Sequence, residues 1–352
     1  MTFNNSSIKK SFVSIIILNY NGEKVIIDCL DSIYKTEDID FEIILIDNNS
    51  QDKSHKKCKE EFPEIILIEN QENFGMTARN IGIKEAKGNF VVFLDSDTIV
   101  EPKWLVHFLK SYENHGEGLY QPKFLEIERP NIINSAGNMI NIFGLTYLKG
   151  RGEVDEGQYN EFKTISYTGG ACTFASIKSI KKIGEVDPLF FAYHDDVDYG
   201  WRGWLVNIPS YYEPRSIVHH YGSPTLKWSS KKFFLLERNR WICLLTLYSK
   251  MNLVKILPLL LIVELGMIGF FIKKGMLLVK IKSLFSLIKL SKKINDRNNK
   301  LNKIRKHSDK EIILNFVDDF RLPIVTTNIQ TSNKVNSIIT LLSKKARNII
   351  NE

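Results

Sequence analysis

Short, almost wholly apolar runs recur through the first third of the chain, each stopped by a cluster of small polar or acidic residues. Phe12 to Leu18 ends at Asn19-Tyr20-Asn21-Gly22, Phe41 to Ile46 at Asp47-Asn48-Asn49-Ser50, Ile65 to Ile68 at Glu69-Asn70, and Phe90 to Leu94 at Asp95-Ser96-Asp97. Runs this short, rich in β-branched residues and bounded by turn formers, read as buried strands. Between the first two, Val25 to Tyr34 carries a helical pattern. Strands alternating with helices predict a mostly parallel sheet with right-handed crossovers, an α/β fold. Open sheets of this kind bind ligands at the carboxyl ends of their strands, where these polar clusters fall, so a nucleotide pocket is expected there.

Downstream the rhythm changes. Glu101 to Lys163 mixes turns and short strands, read as the rest of the sheet and acceptor-side loops. A better-defined stretch runs from Thr168-Gly169-Gly170-Ala171 through Ile177 to Ile183 and on to the acidic cluster at Asp195. After Trp228 the pattern is helical, through Phe233-Phe234-Leu235-Leu236 to Trp241-Ile242-Cys243-Leu244. Ile256 to Ile272 is a run of 17 residues interrupted by Glu264 and Pro258, short of the roughly 20 apolar residues a bilayer span needs. Leu277, Leu278, Ile281, Leu284, Phe285 and Ile288 then recur at helical spacing, with Lys280, Lys282 and Lys289 between them. Together they predict two helices lying in one leaflet, with a transmembrane helix within 253–272 as the alternative.

Composition narrows the options. With 43% apolar and 25% charged residues, a 352-residue chain is globular rather than disordered. The net charge of +8 is unevenly placed: Lys250 to Glu352 holds 20 Lys and Arg against 7 Asp and Glu, leaving 28 against 33 before it. Basic residues interleaved with long apolar runs fit an anionic membrane surface, or a solvated helix face, better than a nucleic-acid groove. Cys29, Cys58, Cys172 and Cys243 are too scattered for a zinc knuckle or a disulfide framework, which fits a reducing compartment. Met1 to Lys10 is polar and lacks the apolar core of a secretion signal, so the cytoplasmic face of the cell membrane is the expected location.

The polar clusters carry the candidate chemistry. Asp95-Ser96-Asp97 sets two carboxylates on a tight turn where they can share one hard divalent cation, Mg²⁺ or Mn²⁺, of the kind that neutralises a leaving diphosphate. A D-x-D alone is weak, since strand ends attract aspartate for local hydrogen bonding. Asp47 and Asn49 can meet a base edge or merely close an Asx turn, and Tyr20, between Asn19 and Asn21, can stack on the ring. Arg79, in Asn73-Phe74-Gly75-Met76-Thr77-Ala78-Arg79-Asn80, can reach a phosphate. Asp195-Asp196-Val197-Asp198 follows the aromatic run Phe190 to Tyr193 and can deprotonate an attacking hydroxyl, adjacent acids raising one another's pKa. Of His219 and His220, we assign His219 to complete a metal shell with Asp97.

In this order and spacing the motifs resemble family 2 glycosyltransferases of the GT-A fold, particularly their bacterial and archaeal rhamnosyltransferase-like branch. The resemblance runs from about Val13 to Tyr248. Ser14 to Gly22 is similar to the family's opening strand and nucleotide loop, Ile46 to Asp52 to the base-binding segment, Asn73 to Asn80 to the N-x-G-x-x-x-A-R-N stretch, and Phe93 to Asp97 to the metal-binding motif. Gly169-Gly170-Ala171 through Gly184-Glu185-Val186-Asp187 to Asp195-Asp198 resembles the acceptor half. It implies an inverting, metal-dependent transfer of one sugar from a nucleotide-diphosphate donor to a hydroxyl of a lipid-linked or cell-surface glycan. Asp47 would bind the base and Asp196 would be the catalytic base, while Asp195 stands where the family usually has glutamate. The implied organisation is a polar extension (1–10), a GT-A domain (11–248, nucleotide half 11–100, acceptor half 101–248), a membrane-associating segment (249–293) and a basic helical tail (294–352).

Glu237-Arg238-Asn239-Arg240-Trp241 partly resembles the Q-x-x-R-W signature of processive polysaccharide synthases, without the glutamine and without their several transmembrane helices. A nucleotidyltransferase would need a glycine- and basic-rich loop after the first strand, where this chain has Asn19-Tyr20-Asn21-Gly22. Which sugar is moved stays open among dTDP-rhamnose, UDP-hexose and GDP-mannose donors.

Overall fold

The first four strands are apolar on both faces because the sheet they form is covered on both. In the computed structural model, which describes residues 11–221, 229–321 and 333–352, these strands are β1 (Phe12–Asn19), β2 (Asp40–Asp47), β3 (Ile66–Glu69) and β4 (Phe90–Asp95). Alternate residues serve two cores: Ile16, Ile44, Ile46, Val91 and Phe93 face one, and Val13, Ile15, Ile17, Ile43, Leu45, Val92 and Leu94 face the other. That double burial produces continuous rather than alternating apolar runs. The expected extension 1–10, Gly222, Ser223 and Trp228 lie outside the described residues.

The chain continues as β5 (Thr98–Val100), β6 (Leu119–Glu126), β7 (Ile133–Ser135), β8 (Asn138–Ile140), β9 (Thr146–Leu148), β10 (Lys163–Ile165), β11 (Cys172–Ser176) and β12 (Ser210–His220). Sheet order is β10-β12-β6-β11-β4-β1-β2-β3, with β5 on β12 and β7 on β6, while β8 and β9 form a separate ribbon. The sheet is parallel from β3 to β4. Beyond β4 it is mixed, because β11 runs antiparallel to both β4 and β6. The chain leaves β1 toward β2 and β3 and returns on its other side as β4. This makes the β1/β4 boundary a topological switch point, the place where open sheets of this kind bind their ligands.

The helices are α1 (Ile26–Ile33), α2 (Ser54–Glu61), α3 (Arg79–Glu85), α4 (Trp104–His115), α5 (Ile177–Ile183), α6 (Asp195–Leu205), α7 (Ser230–Leu247), α8 (Lys250–Lys273), α9 (Leu277–Lys289), α10 (Ser291–Ile304), α11 (Asp309–Ile312) and α12 (Asn333–Asn351). Ser229 and Ser249 cap α7 and α8 by accepting the N–H groups of Lys232 and Asn252, and Ser308 and Glu311 form a capping box at α11. The helical region after 248 is no detached tail: Leu301, Ile312, Ile313, Ile339, Leu342, Ala346 and Ile350 share one core with Ile16 and Val91.

Two expectations for this region change. The 17-residue apolar run belongs to a 24-residue helix, long enough by length and composition to cross a membrane. One stripe of that helix, Ile256, Leu260, Val263 and Glu264, is buried against the protein. Lys280, expected among the interfacial lysines of α9, is 1% exposed. It forms ion pairs with Glu237 of α7 and Glu264 of α8, and Arg240 pairs with the same two carboxylates, at 2.8 Å from Glu237. Against the upward push of burial, Arg240 and Lys280 hold the Glu237 carboxyl down at about 2. Two acids and two bases thus neutralise one another and pin α8 and α9 to α7. Lys280→Met leaves a buried negative charge uncompensated, so we expect a loss of about 3–5 kcal/mol of unfolding free energy, read from urea denaturation midpoints.

Several arginines of this basic region are likewise used internally. Arg297 pairs with Asp187 and Asp198, Arg305 with Asp309, and Arg347 with Asp318. The cations left outward are lysines such as Lys273, Lys282, Lys289, Lys292 and Lys293.

Candidate active site

β1 and β2 end side by side, Asn19 opposite Asp47, and their side chains interlock. Asn19 donates from Nδ2 to Asp47 Oδ1 at 2.8 Å and to Ser54 Oγ at 2.7 Å, and Asp47 Oδ2 accepts the Ser50 N–H at 2.8 Å. Asp47 is buried, with His55 Nδ1 3.8 Å away. Asn21 and Asn49 are left-handed (φ 55° and 63°), which asparagine tolerates better than most residues. Gln51 donates its N–H to Asn21 Oδ1 at 2.7 Å, so the two loops brace each other. Tyr20 stands out of this pair, 44% exposed.

Asp95 closes β4, and Ser96 and Asp97 form the turn into β5. The ligand atoms of Asp95, Asp97 and His220 lie within 4.8 Å of one another, close enough to share one ion. Two carboxylates and an imidazole suit a divalent cation. His220 Nε2 is 3.5 Å from Asp97 Oδ1. The expected ligand His219 is corrected: its Nε2 lies 3.4 Å from Glu101 Oε1. Neighbouring residues of a strand project to opposite faces, and β12, paired here with β5, turns His220 to the acids. A cavity of about 110 Å³ beside His220 is lined by Asn134, Arg151 and Tyr221, residues the sequence reading did not single out.

Arg79 also departs from expectation. It is 3% exposed, and its Nη2 donates to Asp95 Oδ1 at 2.8 Å and to the Gly170 carbonyl at 2.7 Å, with Nη1 4.0 Å from Asp195. It bridges the two acidic clusters from within rather than offering a free cation to a phosphate. The rest of its motif is a clasp between the halves of the domain. Asn80 exchanges two hydrogen bonds with the backbone of Val186, at 2.9 and 2.8 Å. Gly75 (φ +60°) passes so close to the Phe191 carbonyl that a Cβ would sit 2.0 Å from its oxygen, so no larger residue fits.

The second cluster starts α6. Asp196 accepts the Gly170 N–H at 3.2 Å on Oδ2 and the Val197 N–H at 2.8 Å on Oδ1. Gly169 donates its N–H to Gln121 Oε1 at 2.9 Å, which fixes the strand-entry turn that presents Gly170. Burial, and then the neighbouring Asp196 charge, push Asp195 up to about 7, while burial also raises Asp196. The pair therefore sheds its protons in separate steps. Asp95 lies between the clusters: burial raises it to about 6, opposed by Arg79 and reinforced by Asp97 and Asp196. Asp198, expected on the acceptor side, points into the core instead. It pairs with Arg202 Nε at 2.8 Å and Arg297 Nη2 at 2.5 Å, one helical turn on and across a helix contact respectively.

The comparisons with known proteins bear on the first part of this site. Residues 14–184 match the family described as glycosyl transferase family 2. Glycosyltransferase GlyA of Streptococcus pneumoniae serotype 4 is 38% identical over 96 residues, 26% of this chain and 14% of that protein. A poly(ribitol-phosphate) beta-glucosyltransferase of Bacillus spizizenii is 34% identical over 113 residues, 30% of this chain and 18% of that protein. The chain thus spans under a fifth of either relative. Among solved structures, GalNAc-T7 crystallised with UDP, GalNAc and Mn²⁺ superposes with a TM-score of 0.57 at 17% identity, over 71% of this chain and 51% of that one, which identifies a GT-A-like fold. The family match stops before Asp195 and His220.

Proposed function

We infer, from the match of residues 14–184 to glycosyl transferase family 2 and from the geometry of the site, that the chain transfers a single hexosyl or rhamnosyl unit, with inversion, from a nucleoside-diphosphate sugar to a hydroxyl of a lipid-linked or cell-surface glycan. One observation carries this reading. Arg79 joins Asp95, of the triad close enough to share a cation, to Asp195, next to the acid that abuts Gly170, so one guanidinium ties the triad to that carboxylate. Asp95, Asp97 and His220 would hold Mg²⁺ or Mn²⁺, which supplies charge neutralisation for the departing diphosphate. The exposed Tyr20 ring and the Asp47–Asn49 edge receive the nucleobase. Asp196 takes the acceptor proton as its oxygen attacks the anomeric carbon, so the leaving group and the nucleophile stand on opposite faces of the sugar.

The order of the motifs supports the rhamnosyltransferase-like branch, and the polymers named for relatives, teichoic acid and poly(ribitol-phosphate), support a polymeric cell-surface acceptor. Incubating the protein with dTDP-rhamnose, UDP-hexoses and GDP-mannose, with Mn²⁺ or Mg²⁺ and a polyprenyl-linked glycan, should release nucleoside diphosphate from one donor. Release from none would contradict the reading.

The outer face of α8 and α9 supports a peripheral position on an anionic membrane, with both helices in its surface. Leu278, Phe285 and Ile288 are 71%, 62% and 68% exposed, and Lys282 and Lys289 stand beside them in α9. Apolar residues fringed by lysine fit the boundary between headgroups and acyl chains. The buried stripe of α8, tied through Glu264 to α7 and α9, favours this placement over a span. Leu278→Asp with Phe285→Asp should abolish co-sedimentation with phosphatidylglycerol vesicles while turnover of a water-soluble acceptor persists. Unchanged sedimentation would remove the membrane role.

A further inference from the structure

Two consecutive non-glycine residues immediately before the acidic cluster are left-handed: Tyr193 at φ 65° and His194 at φ 59°. Side chains disfavour this conformation, and a pair of such residues persists only when its surroundings hold it. His194 is the N-cap of α6, yet its side chain makes no capping hydrogen bond. The direction in which Asp195 and Asp196 leave the loop is therefore set by whatever grips the backbone of residues 192–194.

That grip comes from α7. Asn239 is completely buried, and its Nδ2 donates to the carbonyl oxygens of Ala192 at 2.9 Å and Tyr193 at 2.7 Å. Arg238 Nε donates to Asn239 Oδ1 at 2.9 Å, which orients the amide with its donors toward the loop. Flanking residues of α7 reinforce the hold: Arg238 Nη2 donates to the Leu189 carbonyl at 3.2 Å, and the Lys232 ammonium lies 5.1 Å from the centre of the Tyr193 ring. On the other side the loop is tied to the nucleotide half, where Met76 donates its N–H to the Phe191 carbonyl at 3.0 Å. α7 is in turn fixed to α8 and α9 by Glu237 and Arg240.

We propose that Asn239 is a positioning residue for the transfer reaction: its side-chain amide holds the left-handed turn at Tyr193-His194 and thereby aims Asp196 at the acceptor hydroxyl. The catalytic consequence rests on the role inferred above for Asp196, whereas the mechanical claim does not. An amide donor to two successive carbonyls is what such a turn needs, because the left-handed pair directs them away from the ladder of α6.

A double-mutant cycle between Asn239→Ala and Tyr193→Gly tests it on the full-length protein, because glycine enters the left-handed region without a Cβ penalty and so needs less holding. Hydrogen exchange of the amides at 195–199 is the first readout. Asn239→Ala should speed their exchange about tenfold or more when Tyr193 is retained and by much less in the Tyr193→Gly background. Turnover is the second readout. Asn239→Ala should lower kcat by about 10²-fold with donor KM unchanged, since a misplacement of about 1 Å at the chemistry costs that much. The Tyr193→Gly background should shrink the loss to a few-fold by the same reasoning. Equal penalties in both backgrounds, unchanged exchange in Asn239→Ala, or collapse of both Asn239→Ala proteins would overturn the proposal and leave Asn239 as packing alone. A wild-type protein inactive on every donor, with the exchange pattern as expected, would instead sink the glycosyltransferase reading and leave the turn assignment standing.

Discussion

Asp196→Asn should reduce transfer by about 10³-fold or more while the protein stays folded and still binds donor nucleotide, as expected when a general base is replaced by an isosteric amide. The substitution keeps the shape of the side chain, and its single amide oxygen can still accept one of the two N–H groups that now reach separate carboxylate oxygens, Val197 at Oδ1 and Gly170 at Oδ2. The donor contacts proposed above are at the ends of β1, β2 and β4 and do not include Asp196, so kcat should fall and donor affinity should not, the signature of an interaction made in the transition state. The pH profile carries a second expectation. Burial raises the Asp196 pKa, and a base works only when ionised, so the acidic limb of kcat/KM should lie above the ordinary carboxylate range, activity being lost as pH falls through it. Initial rates across pH 4 to 9, set about the carboxylate range, with isothermal titration of the nucleoside diphosphate, measure both. Full turnover by Asp196→Asn would remove the assignment.

Asp97→Ala should have a comparable effect by a different route. Asp97 faces His220 from the turn between β4 and β5, and without it the triad keeps one carboxylate and one imidazole. Loss of a divalent ion at a developing diphosphate is worth several kcal/mol, about 10³-fold in rate. Asp97→Ala should therefore abolish Mn²⁺ binding in the presence of nucleoside diphosphate, and chelation of the wild type should reproduce its activity. The two histidines sharpen the test. His220→Ala should weaken Mn²⁺ binding tenfold or more, on the scale of a lost metal contact, whereas His219→Ala, turned toward Glu101, should leave it unchanged. The opposite ranking would restore His219 and break the geometry of β12 described here.

What could be read from sequence follows from the range over which each feature is determined. β1, β2 and β4 announce themselves because burial on both faces makes them continuous apolar runs, and their polar ends follow from position in an open sheet. His219 and His220 could not be told apart, since alternation says that one faces the acids and the other does not, without saying which. Arg79 and Asp198 look like ligand-facing charges in a linear motif. Their partners are distant: the Gly170 carbonyl lies 91 residues from Arg79 and Arg297 lies 99 residues from Asp198. Lys280 and Glu264 mimic the charges of an interfacial helix and a broken apolar run, yet they meet each other and Glu237 in the interior. Asn239 falls at an unspecified position of the Glu237–Trp241 stretch, and its role stays hidden there because it depends on a turn 46 and 47 residues earlier.

The most direct test is a crystal grown with Mn²⁺ and a non-transferable sugar nucleotide, with diffraction measured at the manganese absorption edge. We expect one anomalous peak between Asp97 and His220, the diphosphate oxygens against it, and the open face of the anomeric carbon toward Asp196. An anomalous map without that peak at saturating Mn²⁺, or a sugar whose anomeric carbon faces away from Asp196, would contradict the pairing of triad and base on which the functional reading rests.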